Sequence, residues 1–513
     1  MQKPGRRTLS KRIPNPAAPL SVWPNEELPV FTQVLLSTGG LILEKCLGII
    51  PRVNPTANRG GIHLRGCQKE DAVNKGINIA LALTCMVRPA ALVAQGASAD
   101  TARQNWNYHF QQTIIVQYHP NFSAQYSGPH SLQQSEPPQT SLTSTFFIGA
   151  RLWSHAALYF NPELAGGNGL SGATGIAGFP NGETFRIGDP TPQLTVARFF
   201  ITQTIALSDG DSLVSDEVNQ LAGRLPSDRL TLTFGKICMT DYFDNNRYSH
   251  DPRTQFMNWA LMANGAWDYP ANTRGYTWGV VAELVLGPWA FRFSSAMVPT
   301  EANMATMDPH IGKARSEAVE IERGYDLGPH NGVVRLLGYH TQARMGSYQQ
   351  ALQLAPGQVD VAATREYGRH KYGVGLNIEQ SLSAFMGVMF RAGWNDGNNE
   401  TWMFTEIDQT INAAAMLDGS LWDRADDNLG IAVDLNGISR DHRNYLEAGG
   451  LGFIIGDGKL HYAPEFIVEM FYTFSLPYLH LSISPDYQFV DHPAYNQDRG
   501  PVHVVGARAH VEF

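Results

Sequence analysis

VHVVGARAHVEF, residues 502–513, decides how the rest of the chain is read. Taken as a strand, its residues alternate between two faces. His503, Val505, Ala507, Ala509, Val511 and Phe513 form one face, and Val502, Val504, Gly506, Arg508, His510 and Glu512 form the other. A soluble sheet buries the first face against a core, whereas a membrane barrel turns it to lipid and the second face to a wet lumen. The sequence stops inside this strand on an aromatic residue, Phe513. A barrel closes by pairing its last strand with its first, so that no edge remains. The stretch therefore points to a barrel ahead of a soluble sheet.

Upstream, period two persists. Phe466, Val468, Met470, Tyr472 and Phe474 share a face opposite Glu465 and Glu469. Met386, Val388, Phe390, Ala392 and Trp394 lie opposite Arg391, and Trp289, Phe291 and Phe293 lie opposite Arg292. Apolar faces that end in Trp, Tyr or Phe match interfacial girdles. At ~10 residues per strand, the stretch from Trp106 to Phe513 holds about sixteen strands. The expected fold is all-β: a transmembrane antiparallel β-barrel spanning residues 100–513, with an inward-folded constriction loop. No internal repeat is evident, which argues against a propeller.

Composition agrees. Charged residues make up 17% of the 513 positions, against about 25% in ordinary globular chains. From Asp100 onward 26 basic residues face 42 acidic ones, a poor balance for binding nucleic acid. Of the four cysteines, Cys46, Cys67 and Cys85 precede Asp100 and only Cys238 follows it, which excludes a disulfide framework or a thiolate zinc site beyond that point.

The first hundred residues read differently. Lys75, the apolar run Ile77–Val87 and the small-x-small triplet Ala97-Ser98-Ala99 resemble a secretory signal, interrupted by Arg88 and Pro89. The run is too short for a spanning helix, which needs about 20 apolar residues. Residues 73–99 are therefore expected to be a signal peptide, and residues 1–72 either a mis-assigned start or a disordered extension.

Three stretches carry candidate chemistry. Residues 162–192, PELAGGNGLSGATGIAGFPNGETFRIGDPTP, are Gly-rich and too long for a hairpin turn, which marks a functional loop. This loop offers Glu163, Glu183, Arg186 and Asp189, but it lacks the P-loop ending. In the flanking strands, alternation turns Arg151, Trp153 and His155 inward from 146–155, and Arg198 inward from 194–202. A ring beside planar hydrogen-bonding groups suits a sugar, since the ring stacks on the C–H face while Arg and carboxylates meet hydroxyls. An ion pair between Arg151 or Arg198 and Glu163 that only braces the wall fits equally well. Residues 250–279, HDPRTQFMNWALMANGAWDYPANTRGYTWG, supply Trp267 and Asp268, either as sugar contacts or as self-packing loop residues. No HExxH or GxSxG appears, and the carboxylates are too scattered for a glycosidase pair.

Several long blocks resemble the carbohydrate-selective, OprB-type porins: WNYHFQQTIIVQYHPNFSAQYSG (106–128), the FNPELAGG and FPNGETFRIGDP pieces, HDPRTQF, YLEAGGLGFIIGDGKLHYAPEFIVEMFY (445–472), DYQFVDHPAYNQDRGPV (486–502) and RAHVEF (508–513). The resemblance implies a sixteen-stranded outer-membrane channel through which mono- or oligosaccharides diffuse passively, without reaction or cofactor. It places Arg151 and Glu163 at the constriction, with Trp153, Arg186, Arg198, Trp267 and Asp268 as further candidate sugar contacts. The implied surroundings are the lipid bilayer, lipopolysaccharide and the barrel-assembly machinery, with homotrimerisation left open. An outer-membrane barrel enzyme and a soluble β-rich sugar-binding protein are the alternative readings. If the triplet at 97–99 is a cleavage site, intact-mass measurement of envelope protein finds a chain beginning at Asp100. Retention of residues 1–70 overturns both the signal and the mis-assigned start.

Overall fold

The computed structural model describes residues 103–184, 190–354, 357 and 359–513. The expected extension and signal peptide (1–99) and Arg186 lie outside the described residues. The first strands are β1 (Trp106–Tyr118), β2 (Gln139–Trp153), β3 (Ala156–Gly167) and β4 (Gln193–Ala206). A separate hairpin follows, β5 (Asp211–Val214) with β6 (Gly223–Pro226). The wall continues with β7 (Arg229–Ile237), β8 (Thr277–Leu286), β9 (Trp289–Ala296), β10 (Arg315–Leu327), β11 (His330–Ala343) and β12 (Arg369–Ser383). It finishes with β13 (Met386–Asn395), β14 (Gln409–Asp418), β15 (Asn428–Gly437), β16 (Glu465–Leu476), β17 (Leu481–Asp491) and β18 (Val502–Glu512).

All strands except β5 and β6 form one closed antiparallel barrel of sixteen, in which β18 pairs with β1. The alternation read from the sequence places the side chains correctly over most of the wall. Phe293, Met470 and Phe474 are exposed on the outside, while Arg391, Glu465, Glu469 and Arg508 are buried inside. Two β-bulges break the pattern where the sequence reading assumed continuity. In β2 the register slips between Arg151 and Trp153, so Trp153 turns outward, 56% exposed, and its indole N–H donates to Gln203 Oε1 at 2.7 Å. In β4 the pairing passes from Arg198 opposite Asn161 to Val196 opposite Pro162, leaving Ala197 unpaired. Proline lacks the ladder donor and is tolerated in a strand at such an irregularity. β3 thus runs on through Pro162 to Gly167, and Glu163 belongs to the wall instead of opening the Gly-rich loop.

Connections at one end are short, such as 154–155, 287–288, 328–329 and 384–385, and those at the other are long. Outer-membrane barrels keep short turns on the periplasmic side. The long loops fold inward, and wall carboxylates hold their backbone. Glu465 accepts the N–H groups of Ala177 (3.0 Å), Gly178 (2.7 Å) and Ala494 (2.7 Å). Glu469 accepts those of Met257 (2.6 Å) and Asn258 (3.1 Å), and Glu320 that of Asp244 (2.7 Å). Between these anchors the loops build a core inside the barrel that includes Trp259, Trp402, Phe404, Ile454 and Tyr495. Each such buried side chain contributes about 1.5–3 kcal/mol.

Phe513 completes the wall. It exchanges backbone hydrogen bonds with Phe110 at 2.9 and 3.1 Å, and the two rings stack with centroids 6.3 Å apart. Aromatic pairs contribute ~0.5–1.5 kcal/mol beyond burial. Phe513→Ala is expected to leave export intact and slow barrel closure, read as reduced heat-modifiable barrel in envelopes. Wild-type levels of folded barrel would deny the closing residue a role.

Candidate functional site

On the β1–β4 and β7 side the inward loops stop short of the wall and leave a cavity of about 650 Å³. Thr143, Glu163, Arg198 and Phe200 face it from the strands, and Glu183, Asp241, Arg253 and Tyr276 from the loops. Arg253 ties the two sets together. Its Nε meets Glu183 at 3.1 Å, its Nη1 meets Gln111 at 3.3 Å and Thr145 at 3.1 Å, and its Nη2 meets Glu163 at 3.2 Å. Burial alone lowers the pKa of this guanidinium, but Glu183 and Glu163 more than offset that and hold it firmly protonated. Glu163 also accepts from Thr145 Oγ1 (2.8 Å) and from the Tyr276 hydroxyl (2.9 Å). Burial, then Glu163, pushes the Tyr276 phenol well above its usual range, so it stays a donor.

Arg198 forms a bidentate pair with Asp241, with Nε and Nη2 each 2.6 Å from a carboxylate oxygen. Its guanidinium lies 5.3 Å from the centre of the Tyr276 ring. Nη1 of Arg198 has no protein partner among the described residues. Thr273, 2% exposed, lines the cavity with its hydroxyl likewise unpaired. The cavity thus combines an aromatic ring, fixed carboxylates and spare donors, a set that can hold hydroxyls.

Of the sequence-derived candidates that the structure describes, Glu163, Glu183 and Arg198 come together at this cavity, while Arg151, Trp153, Trp267 and Asp268 lie elsewhere. Arg151 sits nearer the periplasmic end, where Nε donates to the Gln104 carbonyl at 2.8 Å and Nη2 to that of Ala222 at 3.4 Å. Trp153 is on the outer surface. Trp267, 1% exposed, belongs to the loop core. Asp268, equally buried, accepts the N–H groups of Trp402 (3.0 Å) and Met403 (2.7 Å) and lies 3.7 Å from Lys371. The residues missed, Arg253 and Tyr276, stand near the two ends of the Trp-rich stretch, Arg253 ahead of its indoles and Tyr276 two positions before Trp278. The polar HDPRTQF segment was the available signal.

Comparison with known proteins is decisive for the family. The profile of the "Carbohydrate-selective porin, OprB family" matches residues 149–513. The chain belongs to that family. This OprB-family porin is an outer-membrane β-barrel channel for sugars. Among solved structures, OprB of Pseudomonas putida at high pH shares the fold with a TM-score of 0.61 at 14% identity, over 80% of this chain and 94% of that one. The DcaP outer membrane channel of Acinetobacter baumannii gives a TM-score of 0.45 at 10% identity, over 82% of this chain and 99% of that one. No curated protein matches the sequence.

The porin's loops are locked by one further buried network. Lys371 lies 3.7 Å from Asp408 as well as from Asp268, and Asp408 accepts from His442 Nδ1 at 3.1 Å. His442 belongs to the loop helix α1 (Arg440–Glu447), whose N-cap is Ser439. Burial raises the Asp408 pKa, but His442 and then Lys371 outweigh it and bring it to about 2 from 3.8. A carboxylate depressed on folding contributes stability above its unfolded pKa and loses it as pH falls through the folded one. The contribution is about 2–3 kcal/mol near neutral pH, lost between roughly pH 4 and pH 2. Asp408→Asn should speed amide hydrogen exchange in 440–447 severalfold at pH 7, with the difference from wild type vanishing near pH 2. Equal exchange at pH 7 would show that the network does not hold the helix.

Proposed function

We propose that sugars cross this porin through the 650 Å³ cavity, exchanging hydrogen bonds with Arg198, Glu163 and Thr273. The observation that carries this reading is the half-used fork of Arg198, held rigid by Asp241 against the Tyr276 ring. A guanidinium is a planar array of five donors that stays charged at any relevant pH. Pairing with Asp241 cancels most of its net field but leaves a directional N–H for a hydroxyl oxygen. Hydrogen bonds to charged groups are worth ~1.5–3 kcal/mol, and a few of them give millimolar affinity, about −4 kcal/mol. Such binding is tight enough to favour uptake and weak enough to release the sugar.

Single-channel recording in planar bilayers, titrated with glucose and a disaccharide, tests this. Arg198→Ala should weaken glucose block of the ion current about tenfold, equivalent to ~1.4 kcal/mol. Arg198→Lys should restore ion selectivity without restoring block, because an ammonium lacks the planar fork. Unchanged block in Arg198→Ala would move the sugar route away from this cavity.

A further inference from the structure

One periplasmic connection departs from its neighbours. Where the others noted join strands through two residues, the link from β4 to β7 runs over 207–228 and carries the β5–β6 hairpin. Its tip is a tight turn: Glu217 and Gln220 exchange backbone hydrogen bonds at 3.2 and 3.0 Å around Val218 and Asn219. Asn219 takes φ 57°, the left-handed conformation that asparagine tolerates in such turns.

The tip points up into the lumen. Asn161 Nδ2 donates to Asn219 Oδ1 at 2.9 Å, and Asn161 lies five residues along β3 from its periplasmic start at Ala156. At ~3.3 Å per residue on a strand tilted about 40°, the tip stands roughly 13 Å inside the barrel. Asp216 fixes its flank, accepting from Asn107 Nδ2 at 2.7 Å and Gln104 Nε2 at 2.8 Å, with His109 Nε2 at 3.0 Å. Arg151 adds its bond to the Ala222 carbonyl. Residues 217–220 then line the same cavity as Arg198 and Tyr276.

We infer that this hairpin is a second selectivity element, a fixed floor that narrows the sugar route from the periplasmic side and sets its upper size limit. The inference rests on the cavity being the sugar route. It makes Arg151 a positioning residue, acting through the hairpin and not by touching sugar. The fold offers a clean excision point, because Ser227 N–H already donates to the Gly210 carbonyl at 2.7 Å across the base of the hairpin.

Deleting residues 211–226 and joining Gly210 to Ser227 keeps the ends of β4 and β7. Planar-bilayer conductance should at least double, and the exclusion limit for neutral polyethylene glycols, together with maltotriose uptake in liposome swelling, should rise. Wild-type conductance and an unchanged exclusion limit in the folded deletion variant overturn the inference. Should that variant yield no folded barrel, Asp216→Ala decides: it removes the acceptor shared by Gln104, Asn107 and His109. It should then raise conductance and polymer limit in the same direction, and values equal to wild type refute the floor. Glucose block of the wild-type current is recorded in parallel. Its absence refutes the cavity as sugar route, whereas polymer exclusion reports on the hairpin whichever solute the porin carries.

Discussion

Buried carboxylates that hold pairs of loop N–H groups are the constraint on which the rest of this porin depends. A loop folded into a barrel carries backbone donors that its irregular conformation cannot satisfy, and each one left bare costs free energy. Regular structure supplies partners along the wall but none for the loops. Glu465 and Glu469 on β16 meet this need with five N–H groups between them. Within the loop layer, Glu406 does the same for Ile454 and Ile455, and Asp268 for Trp402 and Met403. Charge-assisted bonds of this kind are about twice as strong as neutral ones. Removing one of these carboxylates strands several donors at once, which is why its effect exceeds that of a single contact.

These anchors decide where the passage can be. The loops they fix fill the β10–β16 side with an apolar core, so the open space is pushed toward β1–β4 and β7. Charged residues inside the barrel therefore divide into two groups. Arg391 is wholly buried and spends its donors on Asp244 and on the carbonyls of Leu261 and Ser249, so it faces packed loop and not water. Glu163 and Arg198 face the cavity. Pointing into the lumen is a property of the strand, whereas facing the passage is a property of the loops that happen to cover it.

That distinction marks how far the sequence could be read. Strand faces, strand number and the closing partner of β18 follow from alternation, because one face of every strand meets lipid and tolerates no long polar side chain there. The bulges at Trp153 and Ala197 follow from no local pattern: one extra residue reverses a face, and only the partner strand shows it. Trp153 consequently reads as a lumen residue in the sequence and stands at the outer periplasmic rim in the fold, where an indole suits the interface. Trp267 and Asp268 were legible as a polar–aromatic pair, but the same composition serves a core when the carboxylate finds two N–H groups and a lysine. Arg253 looked like one charge among many, since its value comes from four partners drawn from β1, β2, β3 and the loop after β3.

Arg198 and Arg253 show how such a site stays weak. Arg253 bonds to protein through all three guanidinium nitrogens, so it shapes the opening and has little left to offer a solute. Arg198 is bound by Asp241 on one edge only, which fixes its plane without exhausting it. Pairing Arg198 and Arg253 with carboxylates weakens the local field that would trap an anion, and rigidity removes much of the entropy cost of binding. What remains is a small number of oriented dipoles beside an aromatic face. On the proposed sugar route, a neutral polyol would find compatible partners there, with a gain per contact too small to hold it. The brace itself differs from the one the sequence offered: Arg198 pairs with Asp241 and Glu163 with Arg253, while neither Arg198 nor Arg151 pairs with Glu163.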